Sequence, residues 1–172
     1  MKAARVAVAI AFALALQTIL ARYLVGSGSR VDLVLVAVVY VAMTTGPVTA
    51  ILSGAIGGIV QDALSGGIIG VGGLAKTIVG VAVAMLSTQI IIVQPLPRFV
   101  VFVASTLVHA MVFLGLYSML ESRIPNSSTA GVLGQALGNG IAGIVVFELN
   151  KTLPLLRRRG GGSGHVKRRL DW

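Results

Sequence analysis

The chain has 172 residues, 56% hydrophobic and 11% charged, with a formal net charge of +9. Soluble domains carry about 25% charged residues, so this chain has too few polar side chains to cover a water-facing surface. A soluble globular protein is excluded, and an integral membrane protein remains. The lack of cysteine removes disulfides, thiolate ligands and cysteine nucleophiles.

A helix that crosses the hydrocarbon needs about 17–25 residues. Six apolar stretches approach that length: 6–25, 31–45, 47–64, 72–93, 99–120 and 130–149. Strand-type alternation is absent, so a helical bundle, not a barrel, satisfies the backbone. The start, MKAARVAVAIAFALALQ, has signal-peptide character, but its apolar run continues to Val25 and predicts an uncleaved span. The second stretch, 15 residues, covers only about 22 Å. It is expected to be a separate span because Thr44-Thr45-Gly46-Pro47 breaks the run and Pro47 suits a first helical turn. The rival is five spans, with this stretch re-entrant. Asp32 falls in its first turn, where it favours the helix dipole. Gln94-Pro95-Leu96-Pro97-Arg98 predicts a stiff corner between the fourth and fifth spans. The loop 121–129 is the longest on its side, so no sizeable soluble domain is expected.

Lysine and arginine set the orientation. With six spans, one side collects Lys2, Arg5, Arg98, Lys151, Arg157, Arg158, Arg159, Lys167, Arg168 and Arg169. The other has Arg22, Arg30 and Arg123, and Lys76 falls within a span. Both termini are therefore expected in the cytoplasm. Residues 1–153 form one six-helix transmembrane domain, and 154–172 a basic, flexible cytoplasmic tail whose cations meet membrane lipids and not nucleic acid.

Catalytic groups are sparse. The acids Asp32, Asp62, Glu121, Glu148 and Asp171 are scattered singly, and His109 and His165 have no metal-site spacing. GVGG at 70–73 follows no strand and precedes no GK[ST]. An enzyme is the least favoured class, and no cofactor or metal is expected.

GAIGGIVQDALSGGIIGVGG, residues 54–73, holds one charge among glycines and aliphatics. Gly54, Gly57, Gly58, Gln61, Asp62 and Ser65 fall on one helical face, and Gly73, Lys76, Thr77, Gly80, Ala84 and Ser87 form a similar stripe on the next span. Small faces let helix backbones approach closely in lipid. Gly54, Gly58, Gly73 and Gly80 are the expected packing glycines. A lone charge in hydrocarbon is costly, so Asp62 and Lys76 are expected to pair or to share a water-filled cleft. His109, Gln135 and Asn139 are the other intramembrane polar candidates, with Gln135 and Asn139 on one face and His109 a neutral packing residue.

Residues 31–86 carry Asp32 opening a short span, Tyr40, Gly46-Pro47, Gly54, Gly58-xxx-Asp62, Ser65-Gly66-Gly67, Gly70, Gly73-Leu74 and Lys76-Thr77-xx-Gly80. In that order and spacing they resemble the rod shape-determining protein MreD family. Val81 departs from the family pattern, which would place an aromatic after Gly80, and the glycine-rich tail is a second departure. The resemblance implies a non-enzymatic inner-membrane scaffold of the bacterial cell-elongation and peptidoglycan-synthesis machinery. Its implied partners are MreC and, through it, MreB, RodA and a class B penicillin-binding protein. The implied fold is like the substrate-binding subunit of energy-coupling-factor vitamin transporters. The alternative function is a small-solute transporter subunit, with its ligand near Asp62, Lys76 and His109.

Overall fold

The computed structural model describes residues 2–23, 31–90, 92, 94–121 and 128–160. These form six helices: α1 Lys2–Tyr23, α2 Leu33–Thr45, α3 Pro47–Ser65, α4 Val71–Gln89, α5 Pro95–Leu120 and α6 Thr129–Gly160. No strand occurs among the described residues. All but α2 are long and apolar enough to cross a membrane.

Sequence boundaries shift at three places. The fourth span ends at Gln89, not at residue 93, because Ile90 turns extended. The expected corner at 94–98 is already helical from Pro95, since proline lacks only an N–H that a first turn leaves unused. The sixth helix runs on to Gly160 into the expected tail. The end of the first span at 24–25, Arg30, loop residues 122–127, Arg123 among them, and the tail from 161 lie outside the described residues.

The five longer helices surround α2. Val34, Val38 and Val39 are fully enclosed, and Leu35, Val36, Val41 and Ala42 are nearly so. Each of the other helices touches α2, whereas α1 and α6 do not touch each other among the described residues. Outward faces are apolar instead: Phe12 on α1, Ile56 on α3, Met111 on α5 and Ile141 on α6 are all more than half exposed. Polar groups sit inside and apolar ones outside, which suits lipid as the surrounding solvent.

Sharp turns connect the elements. At Gly46, φ is +98°, a conformation costly for residues with a Cβ, and Pro47 follows as the first residue of α3. Thr44 and Thr45 hydroxyls donate back to the Tyr40 and Val41 carbonyls, which gives these polar side chains partners within the last turn of α2. At the other end of the bundle, Gly66 closes α3 in the left-handed region, with φ +69°. The α3–α4 turn marks that end, called here the turn end; the Gly46 turn lies at the opposite, tail end.

The glycine stripes meet as the spacing predicts. A Cβ on Gly54 would lie 2.8 Å from Thr77 Cα, and one on Gly58 would fall onto Gly73 Cα. Gly73 in turn meets Ile59 and the Ala55 carbonyl, and Gly80 meets Val38 and Ala50. A second set, not singled out from sequence, works differently: Gly140 and Gly143 of α6 receive the rings of Phe99 and Phe102 from α5.

Gly58→Ala should therefore lower stability by about 1–3 kcal/mol, the usual cost of overpacking against a backbone that cannot yield. Gly115, also helical, has nothing within 4 Å of a built Cβ. Gly115→Ala should be neutral or stabilising by up to about 1 kcal/mol. Circular dichroism during denaturation in mixed detergent micelles measures both, and equal effects would contradict the packing described.

Candidate functional site: a buried polar cluster beneath a cavity

α2 has 13 residues, so it is only about 20 Å long in a bilayer core of about 30 Å. Its N-terminus is buried inside the bundle. The first N–H groups of any helix lack intrahelical partners, and unsatisfied ones are costly away from water. Here side chains supply the partners. Asp32 Oδ1 accepts from Leu35 N at 2.9 Å, and Gln17 Oε1 of α1 accepts from Val34 N at 3.2 Å. Asp32 N donates to Asn139 Oδ1 of α6 at 2.8 Å.

The capping carboxylate is itself only 4% exposed and needs a countercharge. Lys76 of α4 provides it, with Nζ 2.9 Å from Asp32 Oδ2. The same Nζ lies 3.4 Å from His109 Nε2 of α5. An ammonium has only donors, so this contact uses the unprotonated lone pair and leaves the ring proton on Nδ1. His109 stacks on Phe113, with ring centroids 5.9 Å apart. Asn139 Nδ2 donates to Thr106 Oγ1 at 3.0 Å, and Gln61 Nε2 of α3 reaches Asp32 Oδ1 at 3.4 Å. All six helices thus contribute a side chain to one cluster.

The expected Asp62–Lys76 pair does not form. Asp62 Oδ2 instead accepts from the backbone N–H groups of Gly70 at 2.9 Å, Gly72 at 2.9 Å and Gly73 at 3.2 Å. Three convergent donors at the N-terminus of α4 hold this carboxylate. Lys76 begins one turn deeper, about 4.5 Å along the axis from Gly73, and meets the recessed Asp32 there. The other expectation for the two residues, a common cleft, matches the structure. A cavity of about 290 Å³ is lined by both, with Asp32, Gln61, His109 and Gln135. Its rim includes the exposed Ser65 and Gly67, so it opens at the turn end.

Asp32 is the residue whose weight sequence reasoning missed. The sequence places it in the first turn of the second span, as a boundary feature; it is instead the N-cap, one residue before α2, and sunk within the bundle. The signal was the length of that span. Asn139 is fully buried and belongs to the cluster, whereas Gln135, one turn away, faces the cavity. His109 has Lys76 and Phe113 as neighbours, not Asp62 or a serine. No group of three potential metal ligands occurs among the described residues. Arg98, expected in the stiff corner between the fourth and fifth spans, is buried at the tail end. It lies 4.4 Å over the Phe147 ring, donates from Nε to the Ile92 carbonyl and stands 3.8 Å from Glu148.

Breaking a buried ion pair from one side costs about 3–5 kcal/mol. Asp32→Asn and Lys76→Met should each lower stability on that scale, and the double variant should lose far less than the sum. Asp62→Asn with Lys76→Met should show the weaker coupling. A double-mutant cycle on unfolding in detergent measures both, and stronger coupling at Asp62 would refute the assignment.

The family model for the rod shape-determining protein MreD matches residues 3–149, a span that includes every member of the cluster. No curated protein and no solved structure matches the chain. Apolar outward faces, a polar interior and this match together describe a multi-pass membrane protein of the family that determines rod shape. The chain belongs to the rod shape-determining protein MreD family.

Proposed function

We propose that this chain is a non-enzymatic scaffold of the bacterial cell-elongation machinery, docking MreC in the inner membrane. Through MreC it would hold MreB, RodA and a class B penicillin-binding protein close to peptidoglycan synthesis. The family match carries this reading, because the family's role is in rod shape. The structure favours a docking role over a reactive one in a further respect. Asp32, Lys76 and Asn139 are joined in one buried cluster, while apolar helix faces such as Phe12, Ile56 and Met111 lie outward. A partner's transmembrane helix would find apolar surface there.

The same reading counts α2 as a sixth crossing. It runs from the recessed Asp32 to the Gly46 turn at the tail end, so α1 and α3 lie on the same course as in a six-span protein. Both termini are then cytoplasmic and the cavity opens outward. Because the chain lacks cysteine, single substitutions report on this directly. A membrane-impermeant maleimide should label Ser127→Cys in intact spheroplasts and leave Ser163→Cys unlabelled until lysis; the reverse pattern would contradict this orientation.

A small-solute transporter subunit, of the energy-coupling-factor kind, is the second reading, and the polar cavity is the observation that favours it. Detergent co-purification separates the two. A scaffold should bring down MreC at micromolar protein and gain stability from it, whereas a carrier subunit should do neither and respond to its solute.

A further inference from the structure

The cavity carries unmatched negative character. Among the described residues its walls hold two carboxylates, Asp32 and Asp62, against one ammonium, Lys76. The Lys76 charge is committed to Asp32. Asp62 is 8% exposed, and its three donors all converge on Oδ2. Its Oδ1 accepts no hydrogen bond among the described residues. Beside it in the chain, Gln61 Oε1 is shut off from solvent and also lacks a donor. That amide cannot simply turn over, because its Nε2 faces the Asp32 carboxylate. Asp62 Oδ1 is therefore the spare charged acceptor at the end of α3, in the wall of a cavity where carboxylates outnumber ammonium groups among the described residues.

We infer that the cavity binds a primary ammonium group, with Asp62 Oδ1 as its charged acceptor. A cation there would bring the side-chain charges of the described wall to zero, and in a low-dielectric setting a carboxylate without an ion partner attracts it strongly. At about 290 Å³ the space suits a small amine or the headgroup of an aminolipid, not a bulky ligand. The site is independent of which partner the outward faces bind.

The test uses the full-length protein in phosphatidylcholine nanodiscs, whose quaternary headgroup has no N–H to donate. Methylammonium chloride replaces tetramethylammonium chloride at constant ionic strength while the unfolding temperature is followed. The expected result is a rise of about 3–5 °C at tenfold excess over the dissociation constant. Asp62→Asn keeps an acceptor for the α4 N–H groups, removes the charge and should abolish the rise. Gln135→Glu adds a carboxylate to the wall and should enlarge it, which keeps the test decisive if Asp62→Asn fails to fold. Repeating the series in phosphatidylethanolamine separates the sources. A lipid headgroup stabilises the wild type before any amine is added and blunts the titration; a free amine gives the same titration in both lipids. No rise in either lipid, a rise that survives Asp62→Asn, or a rise unchanged by Gln135→Glu overturns the assignment.

Discussion

A helix that begins inside a membrane protein must find partners for its first N–H groups without water. α2 meets that demand with Asp32, and the remaining architecture follows from it. The carboxylate that caps the helix brings a buried charge, the charge requires Lys76, and Asp32's own N–H requires Asn139. Gln17 completes the turn from α1. Each requirement recruits a different helix, so the cap also fixes how the helices stand around α2. Lipid offers little hydrophobic drive between helices, and a shared polar knot then supplies specificity that apolar contact alone does not.

The glycine contacts make this knot reachable. Where Gly58 meets Gly73, α3 and α4 approach at backbone distance, and Asp62 at the end of α3 then reaches the N-terminus of α4. Close approach thereby gives Asp62 a set of backbone donors and leaves Lys76 free for Asp32. The α5–α6 pair uses glycine for another purpose, with Gly140 and Gly143 as recesses for aromatic rings. Phe102 and Phe147, in edge-to-face contact, continue that packing toward the buried Arg98 at the tail end. Polar anchors thus stand at both depths of the bundle, joined by a core of valine and phenylalanine.

For a family concerned with cell shape, this distribution has a plain consequence. Inside, Asp32, Lys76 and Asn139 are joined to defined partners, and among the described residues large apolar side chains face outward. Apolar outward faces of this kind are what lipid tails, or another membrane helix, can cover. The cavity is a by-product of the same geometry: a central helix too short for the bilayer leaves space above its N-terminus, and polar caps line what remains.

Much of this was legible in the amino-acid order. Long apolar runs, the Gly46-Pro47 break and the spacing of Gly54, Gly58, Gly73 and Gly80 depend on local periodicity, and they define the helices and the two faces that meet. The family motif in residues 31–86 is likewise a matter of order and spacing. Tertiary structure alone decided which acid Lys76 would hold. Asp62 stands 14 residues away from it and Asp32 stands 44, so proximity in sequence favoured the wrong partner. The choice turned on depth: α4's own N–H groups take Asp62 first, and the lysine, one turn further down, meets the end of a helix that stops short of the interface. Local patterns record what one helix does, whereas the position of its end against five neighbours is a property of the assembled bundle.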